Sequence, residues 1–183
     1  MQTPTPTESS ATKPLIATLS ITASAQSYFN ALRKQYFPAE RNYLDAHLTL
    51  FHALPNEPWI REDLQKICNN QKRLAATVHG VMSLGGGTAF KIISPELTIL
   101  HQNLQNNWLE HMTNQDRQKR NFHITIQNKV EPAEAKKLQA ALLQEFKSFD
   151  ITIDGIQLWR YHNGPWQYLT KYDFEKREAS DTP

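Results

Sequence analysis

His47-Leu48-Thr49-Leu50 and His123-Ile124-Thr125-Ile126 spell the same pattern twice: histidine, aliphatic, threonine, aliphatic. In a β-strand successive side chains alternate between faces. Each histidine therefore shares a face with its threonine, while the aliphatic pair points the other way into a core. Two such strands brought together would put two imidazoles and two hydroxyls into one cleft. That set of groups suits a phosphate, because imidazole gives and takes protons near neutrality and hydroxyls donate hydrogen bonds to phosphoryl oxygens.

Working outward, each motif strand runs into the same punctuation. Glu57-Pro58 and Glu131-Pro132 each start a helix, with proline in the first turn where its missing N–H costs nothing. Ile60, Leu64 and Ile67 form the buried stripe of the first helix, and Leu138, Leu142, Phe146 and Phe149 that of the second. Strands follow both helices. The first pair covers 74–84 and 88–93 around Gly85-Gly86-Gly87. In the second half, strands over 151–153 and 156–161 lead through an Asn163-Gly164 turn into a strand over 166–172. Ahead of the first motif come a strand over 15–21 and a helix over 25–37, capped by Ser24, with Phe29, Leu32 and Tyr36 at helical spacing. Ser94-Pro95-Glu96 opens a further helix with Leu97, Leu100, Leu104 and Trp108 on one side, and a polar segment over 112–121 leads into the second motif strand, 122–130.

This weak internal repeat predicts an α+β fold of two lobes, a duplicated unit with approximate two-fold symmetry. Antiparallel sheets would line a central cleft, with helices outside. Residues 14–174 make one bilobal domain, between a Thr/Pro/Ser-rich tail over 1–13 expected to be disordered and a charged tail over 175–183 expected to fray.

Composition narrows the function classes. The chain has 183 residues, 39% hydrophobic and 21% charged, which is a soluble globular balance. A net charge of +2 permits nucleic acid as a partner without demanding it, since no long Lys/Arg run sets up a strong field. Cys68 is the only cysteine, which rules out an intramolecular disulfide and fits a reducing compartment. No apolar run approaches the ~20 residues of a membrane span. The stretch from Lys13 to Ala25 imitates a signal peptide, but Thr18 and Ser20 interrupt its apolar run. A cytoplasmic protein that binds no membrane is expected. Zinc motifs, paired cysteines and carboxylate clusters are missing, so no metal is expected. Gly85-Gly86-Gly87 lacks the following Lys-Ser/Thr of a phosphate-binding loop and reads as a hairpin turn.

Two imidazoles on opposite sides of a phosphorus can divide the work. One takes a proton from attacking water while the other protonates the departing oxygen. A strained cyclic phosphodiester suits such a pair, because its alkoxide leaving group needs an acid. Arg41 and Arg120, shortly before the two histidines, are placed to neutralise phosphate charge at the rim. Phe51, on the His47 face if alternation holds, offers a base a stacking surface, as do Trp166 and Tyr168. Core packing is the alternative for all three. His52 falls on the opposite strand face, and His79, His101, His111 and His162 read as structural or surface residues.

The paired His-x-Thr-x strands resemble those of the 2H phosphoesterase superfamily. Phe37-Pro38-Ala39-Glu40-Arg41-Asn42, the run from His47 to Pro55 and the run from Phe122 to Val130 are similar to its bacterial 2′-5′ RNA ligase-like branch. So is Leu158-Trp159-Arg160-Tyr161 followed by Gly164-Pro165-Trp166, and the resemblance spans roughly residues 15 to 174. It implies a bilobal α+β fold and the opening of 2′,3′-cyclic phosphates on RNA ends to 2′-phosphates. In some relatives it also implies reversible 2′-5′ joining of RNA ends. His47 and His123 carry over as the acid–base pair, with the two roles unassigned, and Thr49 and Thr125 as phosphate-binding groups. No cofactor is expected. The expected partner of a monomeric enzyme is RNA with a 2′,3′-cyclic phosphate end, or a small cyclic nucleotide. The competing readings are the same mechanism on a nucleotide-sugar cyclic phosphate and a non-catalytic RNA-end binding module. One departure is Gly85-Gly86-Gly87, a turn where members of the branch often carry a basic residue.

Overall fold

Leu15–Ile21 is buried along its whole length, as an interior strand must be. In the computed structural model, which describes residues 13–175, it is followed by six further strands and four helices. The order is β1 (Leu15–Ile21), α1 (Ala23–Tyr36), β2 (Leu48–Leu54), α2 (Pro58–Asn70), β3 (Leu74–Ser83), β4 (Thr88–Ile93) and α3 (Pro95–Trp108). Then come β5 (His123–Gln127), α4 (Pro132–Glu145), β6 (Phe149–Tyr161) and β7 (Trp166–Asp173). The expected tails over 1–12 and 176–183 lie outside the described residues. Glu175, expected in a frayed tail, is instead tied down: its N–H donates to Gln71 O at 2.8 Å and its carbonyl accepts from Arg73 N–H at 3.0 Å.

The helix starts follow local chemistry. Pro58 and Pro132 sit in first turns after Glu57 and Glu131, and Ser94 Oγ accepts the Leu97 N–H at 3.2 Å. α1 departs from expectation. It begins before Ser24, and its buried residues are Ala25, Phe29 and Arg33, with Leu32 and Tyr36 only partly covered. An arginine on a buried helical face needs a reason, and the motif strands supply it below.

All strand pairs are antiparallel, in the order β1-β2-β5-β4-β3-β6-β7, and β6 also pairs with β1. Six strands thus close into a ring with β7 outside. The length of β6 makes this work: its first part pairs with β3 and its second with β7, while its other edge carries β1. The strands expected over 151–153 and 156–161 are therefore one. Gly155 allows the continuation, since a Cβ there would stand 2.4 Å from Tyr172 O on β7.

Strand–helix–strand–helix–strand occurs twice, as β1-α1-β2-α2-β3 and β4-α3-β5-α4-β6. Exchanging the two copies maps the ring onto itself. Each lobe borrows a strand from the other copy: β3 pairs with β4, and β6 with β1. α2 covers β6 and β7, α4 covers β3 and β4, and α1 packs on β5. β2 meets β5 at a single residue pair, Leu48 with Ile124, each the residue after a motif histidine. The motif strands splay apart from that point, which opens the cleft. Among the described residues no helix is long and apolar enough to cross a membrane.

Candidate active site

His47 immediately precedes β2 and His123 begins β5, and both are half-buried. The same contact turns each ring. His47 Nδ1 lies 2.8 Å from Asp45 O, and His123 Nδ1 lies 2.7 Å from Asn121 O. A carbonyl only accepts, so Nδ1 carries the hydrogen in both rings, and each neutral ring keeps its lone pair on Nε2. Burial lowers the His47 pKa to about 4; the Asp45 bond opposes this, while Arg33, His123 and His52 push it further down. His123 is lowered as well, by burial first and then by Arg120 and His52, against its bond to Asn121. Both rings are therefore neutral near pH 7. A bound phosphate anion works against these shifts, since opposite charge favours the imidazolium. One ring can then hold a proton while the other remains a base.

Crossed arginines hold the motif backbones. Arg33 Nη1 on α1 donates to Thr125 O on β5 at 2.9 Å, and its Nε donates to Asn42 Oδ1 and Leu44 O, both at 2.9 Å. Arg120 Nε, just ahead of β5, donates to Thr49 O on β2 at 3.3 Å. Each motif threonine is thus fixed by an arginine from the other half of the chain. Arg33 is 5% exposed yet remains a cation, because burial lowers its pKa only to about 10, with Asp45 opposing the fall. One and two turns earlier on α1, Asn30 Oδ1 accepts from Ala46 N–H at 2.9 Å and Gln26 Nε2 donates to Ala46 O at 2.7 Å. Gln26, Asn30 and Arg33 share one helical face and pin the loop whose Asp45 carbonyl aims His47. Sequence reasoning missed Arg33. Its only local signal was its place one turn after Phe29 on the apolar stripe.

Alternation fails in β2 after Thr49. Opposite β1 the strand carries an extra residue between Thr49 and Phe51, and another between Phe51 and Leu54. Each bulge switches the face that the following side chains occupy. Phe51 consequently turns into the core, fully buried, stacked on His101 at 4.9 Å and packed by Trp108 at 5.7 Å. The stacking surface expected of Phe51 is not available to a ligand. His52 is corrected too, since it joins the cleft network: its Nδ1 and Nε2 lie 3.0 and 3.2 Å from the two Nη atoms of Arg120.

The bulge has a clamp. Asp116, 3% exposed, accepts from the backbone N–H of His52 at 2.9 Å and of Ala53 at 2.8 Å, and lies 3.3 Å from His52 Nδ1. Burial alone would raise its pKa, but the His52 side chain and the two amides outweigh that and hold it below its ordinary value. His52 Nδ1 thus lies between Asp116 Oδ1 and Arg120 Nη1, while its Nε2 faces Arg120 Nη2.

The family model described as the 2′-5′ RNA ligase superfamily matches residues 21–165. The chain belongs to the 2′-5′ RNA ligase superfamily. Solved structures share the fold of this member of the 2H phosphoesterases. Protein TT0787 of Thermus thermophilus aligns at a TM-score of 0.60 and 14% identity, over 90% of this chain and 100% of that one. LigT of E. coli complexed with 3′-AMP aligns at 0.55 and 12% identity, over 88% and 98%. A protein described as a phosphoesterase aligns at 0.55 and 15% identity, over 89% and 98%. No curated protein matches the chain.

In this superfamily member the cleft is not symmetric in charge. Lys91 on β4 pairs with His123, and residues directly opposite share a face, so an exposed lysine shares the His123 face of the sheet. Sequence reasoning missed Lys91, because nothing local ties residue 91 to residue 123. On the other side Trp166 lies against His47, ring centroids 4.8 Å apart. Tyr168 is mostly exposed and packs edge-on to Trp159 at 5.2 Å. Arg41 is exposed on a 3-10 turn, Ala39–Arg41, with no side-chain hydrogen bond to the cleft among the described residues. Among those residues, no group of three or more His, Cys, Asp or Glu is placed to hold a metal ion. The Gly85-Gly86-Gly87 turn is shaped by contact: a Cβ on Gly87 would stand 2.3 Å from Gln127 O on β5. No side chain fits at Gly87, whereas Gly85 faces open space and is set instead by its φ of +79°.

Proposed function

We propose that this chain is a phosphoesterase that opens 2′,3′-cyclic phosphates, on RNA ends or small nucleotides, to 2′-phosphates by acid–base catalysis between His47 and His123. The observation that carries the reading is the matched pair of rings. They share a tautomer and a carbonyl anchor, and they flank the one residue pair joining β2 to β5. Nε2 of one ring takes a proton from water as the water oxygen bonds to phosphorus. The other ring gives its proton to O3′ as the P–O3′ bond breaks. Thr49 and Thr125, on the histidine faces, donate hydroxyl hydrogen bonds to the non-bridging oxygens as charge builds. Arg120 and Lys91 supply positive charge on the His123 side. A 5′-hydroxyl in place of water would form P–O5′ as P–O3′ breaks, leaving a 2′-5′ link by the same steps. LigT of E. coli has been solved with 3′-AMP, NADP+, ATP or phosphate, and the same ligand class is proposed here.

The test offers the purified protein 2′,3′-cyclic nucleotides, cyclic-ended RNA oligomers and ADP-ribose cyclic phosphate, with excess EDTA, and separates the product isomers. The expected outcome is a 2′-phosphate product and a two-limbed pH profile. Each proton-transfer role typically contributes about 10²–10⁴ in rate, so His47→Ala and His123→Ala should each lose at least about 100-fold while remaining folded. Turnover of none of these compounds would leave a binding module. Near-normal turnover by either variant would remove that histidine from the chemistry.

A further inference from the structure

His52 stands between two ions that would otherwise pair. Its Nδ1 lies 3.0 Å from Arg120 Nη1 and 3.3 Å from Asp116 Oδ1, so guanidinium and carboxylate are within two hydrogen-bond lengths of each other. Its Nε2 lies 3.2 Å from Arg120 Nη2, which puts the ring across the fork of the guanidinium. Among the described residues no carboxylate forms an ion pair with Arg120. Asp116 still acts on that cation from behind the ring, raising an Arg120 pKa that burial lowers.

A separation of this kind does not maintain itself. Arginine and carboxylate form short bidentate pairs when they can reach each other, and these two come from one short segment, Asp116 to Arg120. The Asp116 side chain is 1% exposed and is held by the His52 and Ala53 amides, so the guanidinium is the partner free to swing. Its Nε donates to Thr49 O at 3.3 Å, and a neutral carbonyl is a weaker partner than a carboxylate. Swung onto Asp116, Arg120 would let go of the motif strand and present a neutralised pair to the cleft in place of a cation. The His52 ring fills that path. Imidazole suits the position, because it offers polar nitrogens to both ions while its width keeps them apart.

We propose that His52 is a positioning residue, a spacer that keeps Arg120 from pairing with Asp116, so that the guanidinium stays on Thr49 with its charge available to a phosphate in the cleft. The proposal rests on the phosphoesterase reading only in taking a phosphate as the ligand that Arg120 serves.

The test measures binding of inorganic phosphate by calorimetry in the wild type, in His52→Ala, in His52→Phe and in the double variant His52→Ala with Asp116→Asn, each checked for folding by circular dichroism. His52→Ala should bind phosphate about 10-fold more weakly or worse, the loss that goes with one hydrogen bond to a charged group. His52→Phe keeps a ring between the ions and should lose less. The double variant separates positioning from mere support. It removes the carboxylate that captures Arg120, so its affinity should return to within about 3-fold of the wild type, although it melts lower than His52→Ala. A crystal structure of His52→Ala should show Arg120 on Asp116 and off Thr49 O. Wild-type phosphate affinity in His52→Ala, a double variant that binds no better than His52→Ala, or a His52→Ala structure with Arg120 still on Thr49 would each overturn the spacer role. If the wild type binds phosphate but opens no cyclic phosphate, the phosphoesterase reading fails alone and the binding ratios decide the spacer. If it binds no phosphate, the His52→Ala structure decides it.

Discussion

His101 lies between Phe51, stacked at 4.9 Å, and Phe122, edge-on at 5.5 Å, and takes no part in the proposed chemistry. Burial lowers its pKa to about 4, with Arg120 adding to the fall and Asp116 opposing it. The unfolded chain protonates the same ring near its ordinary value of about 6.5. The resulting stability is fully present above that pH. It is lost as pH falls towards 4, because the unfolded state takes a proton that the folded state refuses. At pH 5 this amounts to about 2 kcal/mol for one such ring, and His47 acts in the same direction. The urea midpoint should therefore drop between pH 7 and pH 5, and His101→Phe should flatten part of that slope; an identical slope in the variant would place its source elsewhere. The sequence showed that His101 lacked a motif around it. Its aromatic partners come from β2 and from the residue before β5, so its burial was not readable locally.

The two bulges of β2 decide which side chains enter the cleft. Strict alternation sends Phe51 to the cleft and His52 away from it, and the bulges reverse both. The second of them is held by Asp116, which is 64 residues from His52 in the chain. Asp116→Ala would leave the His52 and Ala53 amides without their acceptor. An unsatisfied buried donor costs about 1–3 kcal/mol, so chemical denaturation should show a loss of at least about 2 kcal/mol. Asp116→Asn, which keeps one acceptor oxygen, should lose less. If Asp116→Ala denatures like the wild type, the carboxylate does not hold the bulge. The three proline-led helices were legible from sequence because proline and its neighbours act within one turn. The clamped bulge was not, because the carboxylate that holds it comes from a distant segment of the chain.

At the scale of the whole molecule the two halves are interleaved, each lobe completed by a strand of the other copy. Arg33 is the joint, binding the loop before His47 and the carbonyl of Thr125 with one buried guanidinium. Arg33→Met keeps most of the volume but removes both the donors and the charge. Its expected effects are a kcat/KM loss of about 10-fold or more, from misplacement of the catalytic geometry, and a higher His47 pKa, since a positive neighbour that lowers it is gone. NMR titration of the His47 ring checks the second effect. An unmoved pKa would show that Arg33 does not act on that ring, and Arg33→Lys should restore part of the charge effect. The sequence by itself determined most of the strands, the three proline-led helix starts, the duplicated α+β plan and the repeated His-x-Thr-x motif, since each depends on neighbours a few positions away. Only the tertiary structure decided that β6 is one strand closing a ring and that His52 replaces Phe51 in the cleft. It alone also set Arg33 behind His47 and Lys91 beside His123. Those outcomes depend on pairings and hydrogen bonds between residues distant in the chain, which no local pattern records.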